Sequence, residues 1–255
     1  MCLPPRSMAD SNHLEKPLFL PQINCDLGEG VAWEEEIFPF IDVASLACGG
    51  HYGTQASLDA SLLLAKKINK KAGAHPSYPD QANFGRVSLS ISSEELIKQI
   101  TQQIGWFVAS ASAHGIPMDH IKFHGALYND AAKDPGLASL LTGFLAEFYP
   151  TTPLLVPPHS QLEKQAKANG IPIRLEVFAD RSYASNYQLS PRSQERSLLQ
   201  TLESVDSQVN RLIFEGKLLS NTGEYLPIAA DTLCFHGDNP SILDFLPTLR
   251  KRYWS

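Results

Sequence analysis

Much that would assign this 255-residue chain at a glance is missing from it. The four cysteines, Cys2, Cys25, Cys48 and Cys234, show neither CxxC spacing nor the density of a disulfide scaffold, which excludes a stapled secreted module and leaves them as small buried hydrophobes. No apolar run reaches the roughly 18 residues a spanning helix needs, and no continuous apolar signal region opens the chain. The expected setting is therefore cytoplasmic. Basic residues number 21 against 27 acidic ones, for a net charge of -6, and they are scattered. That excludes a nucleic-acid or anionic-membrane surface, while a small anionic substrate in a locally basic pocket remains compatible. Neither G-x-x-x-x-G-K-[ST] nor a post-strand G-x-G-x-x-G is present, so no standard nucleotide loop can be named.

What is present is a repeating unit. Residues 1–18 are unpatterned and read as a flexible tail, leaving 19–255 as the folded part. Phe19 to Leu27 reads as a strand closing in Gly28-Glu29-Gly30, and Ile41 to Cys48 as a second closing in Gly49-Gly50-His51. Leu58, Leu62 and Ala65 fall at helical spacing after Thr54 and Ser57. Lys71 to Ala74 leads into a proline-rigidified loop around His75 and Tyr78. Ser92-x-x-Glu95 predicts a helix running to Gly115. Asp119 to His124, Pro153 to Val156, Ile171 to Phe178 and Asp231 to Phe235 read as further strands. Helices are predicted over 136–148, 160–168, 198–214 and from Pro240 towards Arg250. Strand then helix, about seven times without a composition break, predicts one α/β domain, either a parallel (β/α) barrel or a doubly wound sheet. In both, the site forms at the C-terminal ends of strands.

Strand alternation sorts the polar residues. Asn24 and Asp26 share one face, Lys122 and His124 another, Glu176 and Asp180 a third, and Cys234, His236 and Asp238 a fourth, each opposed by apolar neighbours. Lys122 inside an apolar stretch is hard to explain structurally, because an unpaired buried ammonium is costly. Asp26 is expected to point into the mouth, with Glu29 out on the loop beyond Gly28. For a divalent ion, Asp26, His51, His75 and His236 have suitable chemistry.

Together, Asn24-Cys25-Asp26-Leu27-Gly28-Glu29-Gly30, Ala47-Cys48-Gly49-x-His51, Gly73-Ala74-His75-Pro76-Ser77-Tyr78-Pro79-Asp80, Phe84-Gly85-Arg86, Lys122-x-His124-Gly125-Ala126-Leu127-Tyr128-Asn129, Glu176-Val177-Phe178-Ala179-Asp180-Arg181 and His236-Gly237-Asp238 resemble the LamB/YcsF family, whose bacterial members are the A component of 5-oxoprolinase. The resemblance implies a seven-stranded (β/α) barrel like that of glycoside hydrolases and polysaccharide deacetylases. It also implies ATP-dependent opening of 5-oxo-L-proline to L-glutamate, with Mg2+ accompanying ATP and with the B and C subunits of 5-oxoprolinase for partners. Four places depart from the family pattern: Gly50-His51-Tyr52-Gly53-Thr54, Val87, Phe123 and Pro157-Pro158-His159-Ser160.

Opening a lactam requires a base and stabilisation of the oxyanion. The expected catalytic set is Asp26, Glu29, His51, His75, Lys122, His124, His236 and Asp238. Asp26 with His75 or His124 would activate water, Lys122 would stabilise the oxyanion, and Arg86 or Arg181 would hold the substrate carboxylate. Asn24, Tyr78, Asn129, Glu176 and Asp180 complete the expected substrate contacts. A metal-dependent amide or carbohydrate deacetylase is the second reading, and a binding protein without activity the third.

Overall fold

A computed structural model describes residues 17–254. Most of the expected tail, residues 1–16, lies outside the described residues; Leu18 donates its backbone N–H to Ile213 O at 2.9 Å. Seven parallel strands close into a barrel: β1 (Gln22–Leu27), β2 (Val43–Ala47), β3 (Lys71–His75), β4 (Met118–Ile121), β5 (Leu154–Val156), β6 (Ile173–Phe178) and β9 (Thr232–His236), paired in that order, with β9 closing onto β1. Between the last two lies an antiparallel pair, β7 (Lys217–Leu219) and β8 (Tyr225–Pro227). Of the two architectures that the alternating pattern allowed, the barrel forms, so each of its seven strands is paired on both sides.

Helices α2 (Gln55–Lys67), α3 (Ser93–Ala113), α5 (Pro135–Phe148), α6 (Gln161–Ala168), α7 (Leu202–Glu215) and α8 (Ile242–Tyr253) surround the barrel, with short α1 (Glu34–Ile37) and α4 (Gly125–Lys133) near its mouth. In α3, Leu96, Ile100, Ile104, Phe107 and Ala111 form the buried face that the periodicity predicts, and Ser92 Oγ accepts from Glu95 N at 3.2 Å. Thr54 caps α2 with Ser57 reciprocating, so the threonine of the departing segment has a local structural use. Asp134 caps α5, and Pro135 occupies the first turn, where its missing N–H costs nothing.

Helix α4 and the β7 and β8 strands are among the elements that escape the sequence reading. Helix α4 begins on Gly125 at φ +56 with no side-chain cap on His124, so neither of the usual start signals marks it. A Cβ at Gly125 would meet Gly85 O at 2.5 Å; only glycine lets α4 sit so close to the loop after β3. The β7 and β8 strands are three residues each, too short to show alternation.

Register places chemistry at one level. Asp26 is level with Ser45 on β2 and with His236 on β9, while Ala47 is level with His75. Apolar residues alternating with these, such as Ile23, Cys25, Leu233 and Phe235, are fully buried in the shell beneath the helices.

Candidate functional site

At the barrel floor stands Lys122, 1% exposed. Its Nζ lies 2.6 Å from Asp26 Oδ1, 2.9 Å from Glu176 Oε1 and 3.1 Å from Cys234 Sγ, with Asn24 Oδ1 at 3.5 Å and the Phe178 ring centroid at 5.0 Å. An ammonium has three protons to donate, and these partners already engage them. Burial pushes the Asp26 carboxyl up, but Lys122 and then His75 override it and hold it well below the usual carboxylate range. Burial likewise opposes the Lys122 charge, yet Asp26, Cys234 and Glu176 hold its pKa well above the ordinary value. The floor is thus a charged cluster held ionised from within.

Beside it, Glu29, His51, His75 and His124 are all buried and bring one donor atom each within 4.8 Å of the others. Glu29 Oε1 is 3.0 Å from His51 Nε2, 3.4 Å from His124 Nδ1 and 3.9 Å from His75 Nε2. His51 stacks on His124 with ring centroids 3.6 Å apart. Backbone carbonyls decide two tautomers: His75 Nδ1 donates to Lys122 O at 2.8 Å and His124 Nε2 to Phe84 O at 3.0 Å. In the neutral rings, His75 Nε2 and His124 Nδ1 therefore face each other at 3.0 Å with a lone pair on each and no proton between. Burial and the neighbouring rings of His51 and His75 push His124 well below its ordinary value, and burial takes His51 down to about 3. Burial and then Asp26 raise Glu29 to about 8. Only the His75–His124 contact thus lacks a donor, and the separations from Glu29 Oε1, 3.0 to 3.9 Å, bracket the roughly 3.3 Å edge expected for a tetrahedral ion with bonds near 2.0 Å. The two carbonyl acceptors orient the rings as partners behind metal-bound histidines do.

A third group faces the mouth. His236 Nδ1 lies 2.8 Å from Asp180 Oδ1, and the second Asp180 oxygen accepts from His236 N at 3.2 Å and Asn239 Nδ2 at 2.9 Å. A carboxylate that only accepts places the ring proton on Nδ1 and leaves Nε2 as a base. Asp26, Lys122, His124 and His236 open onto a cavity of about 380 Å3, bounded at the rim by Arg86 and Arg192. Arg86 pairs with Asp238, and Arg192 Nη1 stands 3.8 Å from the same carboxylate.

The LamB/YcsF family model matches residues 22–254. The chain belongs to the LamB/YcsF family. It is 36% identical over 233 residues to the 5-oxoprolinase A component of Symbiobacterium thermophilum, covering 89% of each chain. To the Vibrio cholerae protein of the same name it is also 36% identical, over 90% of this chain and 96% of the other. The crystal structure of a lactam utilization protein from Thermus thermophilus superposes with a TM-score of 0.83 at 34% identity, covering 91% of this chain and 95% of that one.

Within this LamB/YcsF barrel, Asp26, Lys122, His124, Glu176 and His236 converge as the strand alternation predicts, and His51 after β2 and His75 at the end of β3, singled out by their turn motifs, join them. Glu29 differs from expectation. Gly28 at φ +72 and Gly30 at φ +76 fold the chain back, so Glu29 returns to the site and is 6% exposed. The converging metal-type donors are consequently Glu29 and His124 with His51 and His75, while His236 faces Asp180. Asp180 is fully buried behind His236 rather than open to substrate, and Asn24 is turned to Thr232 Oγ1 at 2.7 Å. Tyr78 donates to Asp130 Oδ2 at 3.1 Å and stays off the cavity wall, whereas Asn129 lines it. Arg181 borders the cavity, but its Nε and Nη2 donate to Ser197 O and Ser190 O at 3.0 and 2.7 Å. The sequence reading misses Arg192, Asn239 and the part of Cys234 in the floor. Cys234 shares a face with His236, which is the available signal; Arg192 lies in an aperiodic polar loop that offers none.

Proposed function

We propose that this chain is the A component of a 5-oxoprolinase, opening the lactam of 5-oxo-L-proline to L-glutamate in an ATP-dependent reaction with B and C partner subunits in the cytoplasm. The observation that carries the reading is the cavity at the barrel mouth, with a buried carboxylate–lysine floor, an oriented histidine and arginines at the rim; it suits a small lactam bearing one carboxylate. His236 Nε2 takes a proton from the water that attacks the lactam carbonyl, with Asp180 holding the ring and stabilising its charged form. The ring C–N bond breaks and the proton passes to the departing nitrogen, which becomes the amine of glutamate. Asp26 and His124 position the water. Lys122, with its donors engaged, acts through its field by keeping Asp26 ionised instead of bonding the oxyanion itself. Phosphoryl chemistry, with ATP and its Mg2+, is assigned to the assembly, since this chain carries no standard nucleotide loop.

A divalent ion belongs to the second reading, favoured by the two bare nitrogens facing each other. Glu29, His51, His75 and His124 would hold it, and it would supply Lewis-acid polarisation of a carbonyl or a more acidic bound water. The deciding experiment is 5-oxoproline-dependent ATP hydrolysis with and without the partner subunits. Turnover only in the full assembly is expected; none even there overturns the function, and robust turnover by this chain alone overturns the assignment of ATP chemistry to partners. Metal analysis of the purified protein, with Glu29→Gln alongside, tests the second reading: stoichiometric zinc or manganese lost in the variant supports it.

A further inference from the structure

The floor and rim of the cavity carry opposite charge. Below, the carboxylates of Asp26 and Glu176 share one ammonium, Lys122, while Asp180 is held on His236; above, Arg86 and Arg192 flank one carboxylate, Asp238. An anionic substrate group is repelled below and attracted above, so the charge layout orients a ligand with its anion at the rim and its uncharged amide towards His236.

The three arginines near the mouth are not equivalent. Arg181 is 4% exposed, and its Nε and Nη2 are both spent on backbone carbonyls. Those carbonyls belong to Ser190 and Ser197, the two sides of the loop segment that carries Arg192. Ser182 N donating to Ser197 O at 3.0 Å and Ser190 N donating to Ser182 O at 2.9 Å tie the same segment. Arg192 is about one-third exposed, like Arg86, and stands 3.8 Å from Asp238, too far for a full hydrogen bond. Its fork thus retains donors for a ligand, and bidentate pairing with a carboxylate is what a guanidinium does best.

Building on the function proposed above, we propose that Arg192 with Arg86 forms the clamp for the substrate's carboxylate, that Asp238 is the counter-ion keeping the two guanidiniums together before substrate arrives, and that Arg181 is a positioning residue holding the Arg192 loop. The ligand class is a small cyclic amide with a single carboxylate.

The test compares 5-oxo-L-proline with the uncharged 5-oxo-L-prolinamide by titration calorimetry on the whole chain, and measures kinetics in the full assembly. The acid binds wild type about 10- to 100-fold more tightly than the amide, the range for losing a charge-assisted hydrogen bond. Arg192→Gln abolishes that preference and raises KM for the acid by a similar factor, with kcat within about three-fold of wild type; Arg192→Lys recovers only part of it. Arg181→Gln also loses the acid-over-amide preference, which a purely structural role would leave intact while lowering only the melting temperature. Equal binding of acid and amide by wild type, or an unchanged KM in Arg192→Gln, overturns the clamp. Should Arg192→Gln fail to fold, the wild-type comparison alone decides. If the preference and its dependence on Arg192 hold but no 5-oxoproline turns over with both partners present, the clamp stands and the proposed reaction falls.

Discussion

Replacing Lys122 by methionine keeps an unbranched stem of similar volume and removes the charge at the centre of the floor. Asp26 Oδ1 at 2.6 Å and Glu176 Oε1 at 2.9 Å then lose their common cation, in a place where residues are 5% and 1% exposed. Breaking a buried ion pair from one side costs about 3–5 kcal/mol, because the remaining charge stays desolvated. The pH dependence has a definite sign. In wild type the Asp26 pKa is depressed, so its stabilising contribution is present above the unfolded value near 3.8 and is lost as pH falls through the folded value. Without Lys122 the strongest influence lowering Asp26 is gone and its folded pKa moves up against burial, so the contribution that wild type draws from Asp26 at neutral pH shrinks. The deficit of Lys122→Met is therefore largest at neutral and alkaline pH and shrinks towards pH 4. Urea unfolding at pH 4.5 and pH 8, with unchanged slope to confirm comparable states, measures it. Adding Asp26→Asn should recover part of the loss, giving a coupling of about 0.5–3 kcal/mol. A loss below about 1 kcal/mol at pH 8, or one that does not vary with pH, would refute this account of the floor.

Three further outcomes are expected. Asp180→Asn removes the acceptor that places the proton on His236 Nδ1; kcat should fall by about three to four orders of magnitude with KM little changed, and a normal pH–rate profile and kcat would rule out the oriented base. Asp26→Asn should cost several orders of magnitude in turnover with circular dichroism preserved, and near-normal activity removes Asp26 from the machinery. For Glu29, whose folded pKa is raised to about 8 from 4.5, stability is fully present below the unfolded value and declines as pH rises through 8; in metal-free protein Glu29→Gln escapes that decline and is more stable than wild type at pH 9 by roughly a few kcal/mol. Chemical denaturation of the two proteins at pH 6 and pH 9 checks it, and parallel pH curves would contradict the raised value.

The alternation of polar and apolar residues along β1, β6 and β9 and around Lys122 was enough to nominate most of the floor with His124 and His236, because a strand's period of two is a local property of the chain; His51 and His75 were marked instead by the glycine and proline turns that carry them. The buried face of α3 and its serine cap were legible for the same reason, as both depend only on neighbours within a turn. What closes the sheet was not: the same strand–helix alternation serves a barrel or an open doubly wound sheet, and only the pairing of β9 with both β6 and β1 chooses between them. Nor could local pattern tell where Glu29 goes, since its direction depends on two left-handed glycines acting across the mouth. The partition of the arginines was equally invisible, because Arg181 and Arg192 differ not in type but in what the folded loop puts within reach of their donors. Which chemical groups stand at strand ends thus follows from residue order alone. Which of them become neighbours, which protons they hold and which remain open to a ligand follow only from the closed barrel. Alternation is set by backbone geometry one residue at a time, whereas hydrogen-bond partners, burial and charge come from strands far apart in the chain.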